Sequence, residues 1–61
     1  MNEYKVIEVL KSGKKVKSIM RTNGINIAKN YALLLRKDYK EKFAEARIID
    51  NSNEEIVLTI K

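Results

Sequence analysis

A chain of 61 residues with no cysteine, histidine, proline or tryptophan has material for one hydrophobic core and not for a second. It cannot be stapled by disulfides, and the usual structural zinc site is excluded, so stability must come from packing or from another chain. Thirteen basic against eight acidic side chains leave a net charge of +5, which draws attention to acidic or polyanionic partners.

The longest uninterrupted apolar run, Tyr31 to Leu35, falls far short of the roughly 20 residues a bilayer demands. The N-terminus also lacks the charged start and apolar stretch of a signal peptide. The expectation is a soluble, cytoplasmic protein with no membrane role. Lysine, isoleucine and asparagine fill 24 of the 61 positions, a bias expected of an AT-rich genome, as in many low-GC bacteria and their phages. No stretch is rich in Ser, Gly or Pro and no unit repeats, so residues 1–61 read as a single domain.

Tyr4 to Leu10 and Val16 to Arg21 are rich in β-branched residues with charged neighbours. Between them, Lys11-Ser12-Gly13-Lys14 supplies a glycine that tolerates positive φ, and the whole predicts a hairpin. Thr22-Asn23-Gly24 interrupts the pattern, and Asn23 or Asn26 can cap a helix over roughly 27–41. At 100° per residue, Ile27, Ala28, Tyr31, Ala32, Leu34, Leu35 and Tyr39 gather on one broad face, the expected buried stripe. Lys29, Leu33, Arg36, Lys37 and Lys40 lie on the other. Phe43 is expected to close the helix end against the sheet, Ala46 to Asp50 to form a third strand, and Asn51-Ser52-Asn53 a turn. Ile56, Leu58 and Ile60, alternating with Glu55, Val57, Thr59 and Lys61, give a fourth strand with its isoleucines and leucine inward.

The predicted class is α+β, a ββαββ chain with one helix over one face of a four-stranded sheet. Two strand orders fit. One places the terminal strands parallel in the centre. With Tyr4-Lys5-Val6-Ile7 in its first strand, that order resembles the β-grasp of immunoglobulin-binding bacterial domains such as that of protein G. The antibody contacts of that family adjoin a tryptophan-bearing strand, and this chain has no tryptophan, so that activity does not carry over. The other order, fully antiparallel and preferred here, resembles small hairpin-helix-hairpin accessory proteins of phages.

An antiparallel sheet can leave one face in water, and that face is then polar. Here both faces of the first two strands carry apolar groups. A three-residue loop ending at Gly13 puts Tyr4, Val6, Leu10, Val16 and Met20 toward the core. It leaves Ile7, Val9 and Ile19 outside, ringed by Lys5, Lys15, Lys17 and Arg21. A two-residue Ser12-Gly13 turn instead leaves Tyr4, Val6, Leu10 and Ile19 outside. Either register exposes an apolar strip of the kind that marks an interface, and sheet-on-sheet homodimerisation would cover it. Ile7, Val9, Lys15, Lys17, Ile19 and Arg21 are the candidate dimer or partner residues on this face.

The sequence offers little for catalysis. With neither His nor Cys, the commonest general base and the thiol nucleophile are missing. Glu8 is expected to pair across strands with Lys15 or Lys17, and Asp38 with Lys42 or a backbone group. Asp50 to Glu55 fails the pattern of a calcium loop, because its sixth position is Glu55 rather than glycine. The only glycines, Gly13 and Gly24, sit in turns and not in a phosphate-cradling loop. No cofactor, metal or enzymatic activity is expected.

Charge is unevenly spread: residues 1–44 hold eleven basic and four acidic side chains, and residues 45–61 two and four. Lys11, Lys14, Lys15, Lys17 and Arg21 could neutralise phosphates with strong salt dependence. With only three arginines, and Tyr31, Tyr39 and Phe43 expected to be buried, Tyr4 alone is left for base stacking. Leu33, set among Lys29, Arg36, Lys37 and Lys40, could anchor an acidic protein partner. The resulting expectation is a small non-enzymatic binding protein, a phage or mobile-element accessory factor that modulates a host protein by docking on it. A small basic nucleic-acid-binding protein is the alternative.

Overall fold

In the computed structural model, which describes residues 2–61, the chain forms one four-stranded antiparallel sheet with a single helix across one face. The elements are β1 (Asn2–Leu10), β2 (Lys15–Thr22), α1 (Ile25–Asp38), β3 (Phe43–Asp50) and β4 (Glu55–Ile60). The spatial order is β2-β1-β3-β4. Because β1 pairs antiparallel with β3, the β-grasp order with adjacent parallel terminal strands does not apply.

The three-residue register of the first hairpin is the one adopted. Gly13 N–H donates to the Leu10 carbonyl and Leu10 N–H to that of Lys14, both at 2.8 Å. Gly13 takes φ +92°, a conformation in which a Cβ would be strained. Tyr4 thereby faces Met20, Val6 faces Ser18 and Glu8 faces Val16, all on the helix side. In the second hairpin, Asp50 Oδ1 accepts from the backbone N–H and the hydroxyl of Ser52 at 2.9 and 2.7 Å. That Asx turn closes the loop.

The helix starts two residues earlier and stops three residues sooner than its periodicity predicts. Neither Asn23 nor Asn26 caps it: the N-cap is Gly24, extended and without a side-chain cap bond. Thr22, buried, braces this corner by accepting from Gly24 N–H and donating to the Gly24 carbonyl, each at 3.2 Å. At the other end Lys42 N–H and Phe43 N–H both return to the Tyr39 carbonyl, so a tight turn replaces the last predicted helical turn. Arg36 and Lys37 in the final turn complement the negative end of the helix dipole.

The buried stripe differs from the expected one. Ala28 and Ala32, fully buried, form the contact line with the sheet, and Ile25, Tyr31, Leu33 and Leu35 pack beside them. Ile27 and Leu34 are 54% and 55% exposed, and Tyr39 is also open to solvent. A helix lying on a sheet buries a narrower arc than an even count of apolar positions suggests. Two small side chains one turn apart let the backbone approach closely, and that fixes the rotation. Leu33, expected on the solvent face, therefore lies against the core. Asp38 is exposed and makes no ion pair among the described residues.

The core is built on Val6 and Ile48, paired opposite each other on β1 and β3 and almost wholly buried. Tyr4, Ala46, Phe43 and Ile60 extend it. Tyr4 is thus packed away rather than free for stacking. A bulge breaks the β3–β4 register: Ile48 opposes Leu58, but Ile49 opposes Ile56, leaving Val57 as the extra residue. Ile56 consequently joins Ile49 on the face away from the helix and is 55% exposed, contrary to its alternating pattern.

Candidate functional site

The sheet face opposite the helix can be read row by row from the pairing register. Ile19, Lys5, Ile49 and Ile56 form one row across all four strands. Lys17, Ile7, Arg47 and Thr59 form the next, and Lys15, Val9 and Glu45 the one beyond. Five aliphatic side chains thus share one surface, Ile19 and Ile56 more than half exposed and Ile7, Val9 and Ile49 partly covered.

All six residues singled out on this face, Ile7, Val9, Lys15, Lys17, Ile19 and Arg21, lie on it together. Ile49, which the alternation of the third strand sets on the face opposite Ile48, also belongs to it, and so does Ile56, which escaped the sequence reading. Ile56 did so because a bulge leaves no mark on a hydrophobic alternation.

Some of the charges on this face are tied in ion pairs. Lys5 Nζ lies 2.6 Å from Glu54 Oε2 in the β3–β4 turn, so its aliphatic stem crosses the surface while its ammonium is drawn to the end of the sheet. Arg47 Nε donates to Glu45 Oε2 at 2.7 Å. Glu3 accepts from Asn51 Nδ2 and, at 3.0 Å, from Arg21 Nε, joining β2 to the far turn through β1. The Asn51 hydrogen bond, followed by that of Arg21, holds the Glu3 carboxyl below the usual glutamate range. Arg47 does the same for Glu45. The backbone and side-chain bonds from Ser52 lower Asp50.

The helix-face set is less coherent. Lys29, Arg36, Lys37 and Lys40 are exposed, and Arg36 Nη1 donates to the Lys61 carbonyl at 3.2 Å. Leu33 sits at the edge of the core, so the large apolar groups the helix presents to solvent are Ile27 and Leu34 instead.

Glu8 also departs from expectation. Its register neighbours are Val16 and Ala46, whereas Lys15 and Lys17 point to the opposite face. Its Oε2 is buried without a hydrogen-bond partner. Among the described residues, no three metal-ligating side chains of the His, Cys, Asp and Glu types come together. No described helix is long and apolar enough to cross a membrane.

No protein-family model matches the chain, and no curated protein or solved structure shows significant similarity to it.

Proposed function

We propose that this protein is a non-catalytic binding module that acts by covering its outer sheet face with another protein surface, a second copy of the chain being the simplest occupant. The supporting observation is the row that crosses all four strands: Ile19 and Ile56 at opposite edges, more than half exposed, with Lys5 and Ile49 between them. Aliphatic side chains exposed on a sheet face and interleaved with Lys5, Lys17 and Arg47 suit an interface of mixed apolar and polar character. A two-fold axis through the sheet would bring identical strips together and close the assembly at two copies. An accessory protein of phage or mobile-element type, docking on a host protein inside the cell, is the biological form this reading takes. Leu33 packs against the core, so the basic face of the helix lacks the anchor expected at its centre.

Sedimentation across about 1 to 100 µM, a range that brackets common dimer affinities, tests self-association. Wild type is expected to shift toward a dimer, and Ile19→Lys or Ile56→Lys to remain monomeric while keeping the fold, since both positions are already exposed. A monomer at every concentration rules out the homodimer. Retention of a captured host partner by both variants rules out the face.

Nucleic-acid binding is supported by a separate observation. Lys11, Lys14, Lys15, Lys17 and Arg21 are all exposed along one hairpin, and among the described residues only Arg21 of these makes an ion pair. Anisotropy with labelled duplex and single-stranded DNA over a salt series tests it. No binding at about 50 mM salt, where phosphate contacts are strong, eliminates this reading.

A further inference from the structure

On the helix side of the sheet, remote from the outer face, an open cleft of about 350 Å³ separates the C-terminal half of α1 from β1 and β2. Its polar centre is Glu8, 6% exposed, with Oε2 unpartnered. Leu10, Val16 and Leu35 supply apolar wall, and the hydroxyls of Ser18 and Tyr31, 3.1 Å apart, occupy the β2 side. A buried carboxyl oxygen without a donor costs stability that nothing within the chain recovers. Glu8 lines the open recess, so a donor that enters there can approach its carboxyl.

We propose that this cleft binds a cationic nitrogen group, a guanidinium or ammonium, carried on a short apolar stem, with Glu8 as its counter-charge. A carboxylate accepts hydrogen bonds only, and a guanidinium or ammonium offers both donors and the opposite charge. The aliphatic walls suit methylenes, and the Tyr39 ring, half exposed at the rim, can lie against the cation's face. Lys42 also borders the cleft but makes no ion pair with Glu8 among the described residues. Its backbone is fixed by bonds from Lys42 N–H to Tyr39 and from Lys11 N–H to its own carbonyl. Its ammonium is a like charge that competes with the ligand for the cleft. The group can arrive on a free alkyl amine or guanidine, or on an arginine of a protein, and the two sources share this chemistry.

Titrating the labelled full chain with butylguanidinium, its neutral isostere butylurea and a capped Gly-Arg-Gly peptide, while following backbone amide shifts, tests the assignment. Butylguanidinium should give saturable shifts at Glu8, Ser18, Tyr31 and Leu35 with a Kd of about 1 mM or tighter, a reasonable efficiency for so small a ligand. Butylurea should bind at least about tenfold more weakly, and Glu8→Gln should weaken butylguanidinium by roughly the same factor, as expected when a charge-assisted hydrogen bond becomes neutral. Val16→Trp, placed at the exposed rim, should block entry without disturbing the core. Lys42→Gln should tighten cation binding by about twofold or more by removing a like charge. A peptide that binds about tenfold more tightly than butylguanidinium assigns the site to protein-borne arginine, and equal affinity assigns it to a free cation. Absence of saturable shifts, equal response to butylurea, or undiminished affinity in Glu8→Gln or in Val16→Trp would overturn the proposal. None of these results bears on the outer sheet face.

Discussion

The phenolic hydroxyl of Tyr31 lies 3.1 Å from the hydroxyl of Ser18, a side-chain tie between the middle of α1 and edge strand β2. A partly buried hydrogen bond of this kind contributes about 1 kcal/mol net. Tyr31→Phe is therefore expected to lower the melting midpoint by about 4–8 °C, the scale for a domain of this size. Ser18→Ala should do the same, and the double variant should cost less than the two losses added together, because the partners share one interaction. Thermal denaturation of the four proteins checks this.

The helix rotation predicts a sharp contrast between two apolar truncations. Ile48→Ala empties a fully buried position and should cost about 2–5 kcal/mol, comparable with the whole stability of about 3–5 kcal/mol that so small a core supplies. That variant is expected to be largely unfolded at room temperature. Leu34→Ala, on an exposed position of the helix, should stay within about 0.5 kcal/mol of wild type. Denaturant unfolding measures both, and a large loss from Leu34→Ala would mean the helix packs through another face.

Glu8 offers a test of the opposite sign. Replacing it with leucine removes a buried acceptor that lacks a donor and leaves an apolar group among Tyr31, Leu35 and Val16. Stability should rise by about 1–3 kcal/mol, read as a higher denaturant midpoint with an unchanged slope. A fall would show that the carboxyl has a partner within the chain.

Acid should weaken the fold through the tethered carboxyls. Glu3, Glu45 and Asp50 are all lowered from their ordinary values of 4.5, 4.5 and 3.8. Each therefore contributes stability that is fully present above those values and is lost as pH falls through the lower folded-state values. Melting midpoints should be flat from neutrality to about pH 5 and decline below about pH 4.5. Glu3→Gln, which removes the acceptor shared by Asn51 and Arg21, should show a lower plateau and a shallower decline.

Element order was legible because each signal is local. Gly13 marks a turn that needs positive φ, Asn51 to Asn53 form another, and the helix repeats its apolar residues at a period no strand tolerates. The outer-face residues on β1 and β2 were legible for the same reason, once the loop length set the hairpin register. The other assignments depended on information outside any short window. A helical wheel treats Ala32 and Leu34 as equally apolar, but in space Ala28 and Ala32 take the contact line while Ile27 and Leu34 are turned out. Period-two alternation placed Ile56 with Leu58 and could not reveal a phase slip against β3. Cross-strand pairing offers Glu8 a partner in Lys15 or Lys17, whereas the register sets Val16 opposite it and the pleat sends both lysines to the other side of the sheet.

The additional residue in β4 redistributes grease between the two sides of the molecule. With strictly regular pairing Ile56 would oppose Asp50 on the helix side of the sheet, and a buried isoleucine there is worth about 1.5–3 kcal/mol. As built, that cohesion is forgone and the side chain is displayed on the back instead, next to Ile49. A single misfit in strand pairing thus carries one large aliphatic side chain to the back of the sheet, and if a second copy covers that back, resistance to unfolding should rise with protein concentration.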